Sequence, residues 1–170
     1  RTDGFLATTK INAEFKGVSA HAGAAPEEGK NALLAAAQAA ISLNTIARHS
    51  GGASRINVGV LNAGTGRNVV PDYAELKLET RGENTEVNQF MVNEAERILR
   101  ACAMMYDVEL QTSVVGSAPS CVPDVELGQK VAELIKEKCD YAQVLEHAPI
   151  GCSEDCSYFM ERVQEKGGRS

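Results

Sequence analysis

Three polar residues sit in or beside glycine-rich connections, and loops carried on a rigid scaffold supply binding and catalytic groups out of proportion to their number. His21 lies in Ser19-Ala20-His21-Ala22-Gly23, flanked by residues too small to cover its ring, so a ligand can reach the imidazole. Asn68 lies in Gly64-Thr65-Gly66-Arg67-Asn68-Val69-Val70-Pro71-Asp72, where glycines permit unusual backbone angles and the proline fixes the exit. Its amide can point out of the loop, or it can bond its own backbone as turn asparagines do. Arg81 ends an alternating run just before Gly82, and arginine grips a carboxylate through two parallel hydrogen bonds. Taken singly, each has an ordinary explanation: an incidental histidine, a turn asparagine, a solvated strand-end arginine. Arg48, Arg55, Arg67 and Lys77 read as surface charge, and His49 as a dipole partner at a helix C-terminus. His147 has no acidic or histidine partner at useful spacing.

The elements that must position these residues follow from hydrophobic periodicity. Residues 9–16 alternate Thr9, Ile11, Ala13 and Phe15 against Lys10, Asn12, Glu14 and Lys16, a half-buried strand. An alanine-rich helix is predicted over 31–48, stopped by Ser50-Gly51-Gly52. Strands are predicted at 56–60, where Ile56, Val58 and Val60 share a face, and at 74–80. Val87, Met91, Ala95, Ile98, Cys102 and Met105 recur at the spacing of one helical face, and Val108, Leu110, Thr112 and Val114 alternate in a fourth strand. The order βαββαβ places two helices on one face of a four-stranded antiparallel sheet, an α+β ferredoxin-like arrangement. Beyond Pro119 a C-terminal helical segment is expected: a helix capped by Asp124, at most a short strand at Val144-Leu145, and a helix over 158–163. This tail is too poor in apolar residues to fold alone and reads as part of a neighbouring unit.

Composition bounds what the chain can do. With 170 residues, 44% of them hydrophobic and 24% charged, it has the length and apolar content for one core. A net charge of -6 has the wrong sign for nucleic-acid binding, and the sheet lacks the exposed aromatics and basic face of an RNA-recognition module. No apolar run approaches the roughly 18 residues of a membrane span, and the first residues carry no signal-peptide pattern. The five cysteines are scattered, with no C-x-x-C pair. They read as free, buried thiols in a reducing, cytoplasmic compartment, and none as a metal ligand.

Four motifs in order carry a family resemblance over nearly the whole chain: Phe15-Lys16-Gly17-Val18-Ser19-Ala20-His21-Ala22-Gly23, then Ile56-Asn57-Val58-Gly59, then Gly66-Arg67-Asn68-Val69-Val70-Pro71-Asp72, then Glu79-Thr80-Arg81-Gly82. They resemble the lid or dimerisation domain of the aminoacylase and glutamate carboxypeptidase family of metal-dependent amidohydrolases. Ser153-Glu154-Asp155 is similar to a Gly-Ser-Glu-Asp motif of that family's catalytic domain, and residues 48–59 are similar to members that cleave p-aminobenzoyl-glutamate. The resemblance implies a lid over 1–118, a catalytic-domain fragment over 119–170, and a homodimer formed through the lid, with a second subunit type as an option. It implies that His21 crosses to the partner's active site to steady an oxyanion, that Asn68 and Arg81 hold the substrate carboxylate, and that Glu154 and Asp155 neighbour the active site. The family reaction uses a divalent metal, Zn or Mn, to activate water, with a glutamate taking the proton. Those metal ligands are expected outside this chain, which should bind no metal and hydrolyse nothing alone. The implied substrate is an N-acyl amino acid, p-aminobenzoyl-glutamate first, with a related acyl group as the alternative and a non-catalytic ferredoxin-like ligand-binding module as a different class. Cys152 between Gly151 and Ser153, and Cys156 in place of a phenylalanine, depart from the pattern. They leave open a simple capped helix start, Ser153 leading into an acidic first turn.

Overall fold

Alternation along Ala7–Lys16 (β1) sends Ala7, Ile11, Ala13 and Phe15 into the core, with Phe15 fully buried, while Lys10, Asn12, Glu14 and Lys16 face the other way. The structure is a computed structural model describing residues 2–140, 143–145 and 147–170. After β1 come Ala32–Leu43 (α1), Ser54–Ala63 (β2), Tyr73–Gly82 (β3), Thr85–Met105 (α2) and Glu109–Ala118 (β4). The sheet order is β2-β3-β1-β4 with every neighbouring pair antiparallel, and both helices pack on one face, as the βαββαβ order predicts. Ile11, Phe15, Leu76 and Leu78 from the sheet meet Ala35, Ala39, Leu43, Ala95 and Leu99 from the helices in one core.

Each strand reaches beyond its predicted limits, and two carry bulges. In β2, Val58 pairs with Leu78 and Val60 with Lys77, so Gly59 is the extra residue and Val60 turns to the open face of the sheet. The expected common face for Ile56, Val58 and Val60 is therefore broken at Val60. In β4, Val115 is the extra residue between Val114, opposite Ile11, and Gly116, opposite Lys10.

The alanine-rich helix is shorter than predicted. Asn31 caps it by accepting from the Leu34 N–H, but it ends at Leu43 because Asn44 donates its side-chain amide to the Ala40 carbonyl and Thr45 donates its hydroxyl to the Ser42 carbonyl. His49 is thus not at a helix terminus: its Nδ1 accepts from the Gly51 N–H and its ring lies 4.9 Å from that of Phe90. At the C-terminal end of β3, a Cβ on Gly82 would stand 2.3 Å from the Asn88 backbone nitrogen, so only glycine lets the first turn of α2 close against the strand. A buried chain of hydrogen bonds fixes the same corner: Thr80 Oγ1 donates to Asn88 Oδ1, Asn88 Nδ2 donates to Thr9 Oγ1, and Thr8 Oγ1 donates to the Thr80 carbonyl.

The tail consists of Val125–Lys138 (α3), capped as expected by Asp124, and Cys156–Glu165 (α4). Val144-Leu145 is not a strand; instead Ala148–Pro149 pairs in parallel with Thr2–Asp3. His147 Nε2 lies 2.8 Å from the Asp3 carboxylate, an acidic partner from the far end of the chain. An isolated bridge between Phe5 and Cys121 and a bond from the Leu6 N–H to the Cys152 carbonyl tie the tail to the start of β1. Among the cysteines Cys102 and Cys121 are buried, whereas Cys139 and Cys156 are exposed, contrary to expectation; all five are free. Among the described residues no helix is long and apolar enough to cross a membrane.

Candidate functional site

His21 is held by the segment that leaves β1. The Gly17 N–H donates to the Asp72 carbonyl at 2.7 Å, and Val18 and Lys30 exchange a pair of backbone bonds. A Cβ on Gly17 would sit 2.0 Å from the Lys30 carbonyl oxygen, so this crossing requires glycine. The short strand Ala20–His21 then pairs antiparallel with Val69–Val70, and the Ala22 N–H donates to the Asn68 carbonyl. His21 and Asn68 are brought together in this way, both exposed.

The His21 ring has a defined orientation. Its Nδ1 accepts from the Gly23 and Ala24 N–H groups, each at 3.1 Å, which leaves the proton of the neutral ring on Nε2, the outward nitrogen. Such an imidazole is a hydrogen-bond donor aimed into solvent. Among the described residues the Asn68 side chain has no hydrogen-bond partner, so its amide is not spent on its own turn.

Arg81 is elsewhere. It lies at the far end of β3 from Tyr73, on the open face, roughly 27 Å from the His21 end at about 3.4 Å per residue. Glu79 Oε1 accepts from its Nε at 2.5 Å, and the arginine side chain is 37% exposed. Among the described residues Arg81 makes no other side-chain hydrogen bond, so its Nη groups are available to a ligand. Arg55 on β2 stands directly opposite Arg81, a neighbour that local sequence could not reveal because pairing register is a property of the assembled sheet.

Glu154 and Asp155 are exposed in the loop before α4, at the Arg81 end, where Cys152 bonds Leu6 next to the Ala7–Gly82 pair. The capped, acidic helix start does not form. The helix begins at Cys156 without an acidic first turn, Asp155 makes no side-chain cap, and the Ser153 hydroxyl is buried without a partner among the described residues. The described residues contain no cluster of three His, Cys, Asp or Glu side chains able to hold a metal ion, so they do not fit a catalytic metal centre. Burial pushes the Cys102 and Cys121 thiols above their ordinary pKa, which removes them as nucleophiles.

Residues 6–104 match the peptidase dimerisation domain (M20_dimer), and the chain belongs to that family, whose enzymes are generally metal-dependent. It is 47% identical over 169 residues to the indole-3-acetyl-aspartic acid hydrolase of Enterobacter agglomerans, covering 98% of this chain and 38% of that protein. It is 46% identical over 171 residues to one of the subunits of the p-aminobenzoyl-glutamate hydrolase of Escherichia coli K12, covering 99% and 39%. The aminobenzoyl-glutamate utilization protein of Klebsiella pneumoniae superposes with a TM-score of 0.93 at 46% identity, over 99% of this chain and 43% of that one. The chain thus spans about two fifths of the length of these relatives.

Proposed function

We propose that this chain is the dimerising lid, with a piece of the catalytic domain, of an amidohydrolase that cleaves an N-acyl amino acid, p-aminobenzoyl-glutamate first among them, to free acid and glutamate. Residues 1–118 form the lid and 119–170 belong to the catalytic domain. The relatives named for aminobenzoyl-glutamate support the substrate, and the apolar side chains that α3 and α4 leave exposed support the division.

The observation that carries the reading is that the tail joins the sheet at the Arg81 end, while His21 and Asn68 sit at the other. A His21 serving its own chain's catalytic domain would have to act across the length of the sheet. A symmetric dimer removes that difficulty. Among the described residues edge strand β2 is unpaired on its outer side, and α1 beside it exposes Leu34 and Ile41. Two copies of β2 related by a twofold axis pair antiparallel, so the Arg55 end of one meets the Ala63 end of the other. His21 and Asn68 of each protomer then approach Arg81 of its partner.

In that composite site the His21 Nε2–H donates to the oxygen that gains negative charge as the amide carbonyl is attacked. A donor so placed contributes about 100- to 1000-fold in rate. Asn68 and the Nη groups of Arg81 hold the substrate carboxylate, and Glu154 and Asp155 lie close by on the Arg81 side. The divalent metal, Zn or Mn, belongs to residues outside this chain. The Escherichia coli relative is named as one subunit of its hydrolase, which supports an assembly with a further subunit type, and the free thiols suit a cytoplasmic enzyme.

The test mixes two inactive full-length proteins, one lacking a metal ligand and one carrying His21→Ala, and assays p-aminobenzoyl-glutamate hydrolysis. Recovered activity is expected, because mixed dimers contain one intact site. No recovery with heterodimers confirmed overturns action in trans and leaves the domain a dimerisation scaffold. A chain that is strictly monomeric at tens of micromolar by sedimentation equilibrium overturns the dimer itself.

A further inference from the structure

Arg55 and Arg81 are direct partners in the β2–β3 register and lie on the open face of the sheet. Side chains in that relation have Cβ atoms about 4.5–5.5 Å apart, and like charges directly opposite destabilise a sheet. Only one carboxylate answers the pair among the described residues: Glu79 accepts from Arg81 Nε, and Arg55 has no ion-pair or hydrogen-bond partner there. Arg55 and Arg81, with Ile56, Asn57 and Glu79, line a shallow cleft of about 240 Å³. The site therefore carries one more positive charge than folding uses, and that charge is exposed.

We infer that Arg55 is a specificity-determining residue that binds the side-chain carboxylate of an N-acyl glutamate or aspartate while Arg81 holds the α-carboxylate, the two opposed arginines forming one dicarboxylate clamp. The inference rests on the function proposed above and deepens it. Its chemistry matches the spacing. The two carboxylate carbons of glutamate are separated by four C–C bonds of about 1.5 Å, an extended span of about 5 Å, close to the separation of the two side-chain roots. Glu79 orients Arg81 through Nε and leaves its Nη groups for one carboxylate; Arg55, unpaired, offers its whole fork to the other. Two relatives are named for acyl-aspartate and acyl-glutamate, which share a second carboxylate and differ in the acyl group. A clamp directed at the amino acid accounts for that shared feature.

The experiment compares kcat/KM of the full-length protein for p-aminobenzoyl-glutamate and p-aminobenzoyl-glutamine, which differ only in the charge of the side-chain terminus. The unsubstituted protein should prefer the glutamate, and Arg55→Gln should shrink that preference about 10- to 100-fold, mainly through KM, with Arg55→Lys restoring part of it. A wild-type ratio near one, or a preference unchanged in Arg55→Gln, overturns the clamp and leaves the proposed amidohydrolase standing. Failure of the unsubstituted protein to hydrolyse either compound overturns both. Arg55 is exposed on an edge strand, so the variant should fold, which circular dichroism verifies.

Discussion

The sheet with its two helices and the tail behind it obey different rules of burial. In the first region α2 buries nine of its 21 residues, at the spacing of one helical face, against β1 and β3, whose inward residues are almost wholly covered. In the second, α3 buries only Ala132 and α4 only Ser157, while Leu134 and Phe159 remain 56% and 74% exposed. The apolar residues of α3 still fall at helical spacing, and Leu127, Val131 and Ile135 line an apolar cleft of about 360 Å³ together with Phe5, Val144, Leu145 and Met160. The first region satisfies most of its hydrophobic pattern internally and leaves Leu34, Ile41, Val114 and Val115 outside; the second leaves most of its helices' apolar residues uncovered.

Substitutions can break this contrast. The largest effect is expected from Phe15→Ala, which removes a fully buried ring and should cost about 3–5 kcal/mol by urea denaturation, against under about 0.5 kcal/mol for Phe159→Ala in the same chain. Equal losses would mean that the tail is packed as firmly as the sheet. In the full-length protein, His21→Ala should lower kcat about 100-fold or more with little change in KM. Arg81→Ala should instead raise KM, by about 10- to 100-fold, as expected when a carboxylate loses a charged partner. Small, equal effects from both would remove the roles assigned to the two ends of the sheet.

A finer probe is the buried polar corner. Asn88→Ala strands the Thr80 and Thr9 hydroxyls and should cost about 1–3 kcal/mol, measured by thermal melting of the chain. The mildest test is chemical. A thiol reagent at pH 8 should modify exposed Cys139 and Cys156 first, with Cys102 and Cys121 reacting only on unfolding, because burial both shields them and holds their thiols protonated. Rapid reaction of all four would show that the sheet's core opens as readily as the tail.

What could be read in advance depends on the range of the interactions involved. Alternation in β1 and β3 and the helical spacing of α2 come from neighbours within a few residues, so these elements and their inward faces follow directly from the chain. Where α1 stops does not: Asn44 and Thr45 bond the last carbonyls and Ile46 packs against the core, although the apolar pattern runs on past Leu43. The bulge at Gly59 is equally hidden: alternation predicts one face for Val58 and Val60, and pairing with β3 decides otherwise.

Local sterics and hydrogen bonding were enough to set the element order, the helix cap at Asp124, and the reachable positions of His21 and Asn68 in small-residue loops, and all of these can be read from the amino acids in order. Assembly of the sheet was needed to place His21 and Asn68 at one end with Arg81 and the tail at the other, to bring His147 to Asp3, and to set the exposed Arg55 opposite Arg81. Those relations join residues far apart along the chain, and strand register, which no local pattern encodes, is what brings them side by side.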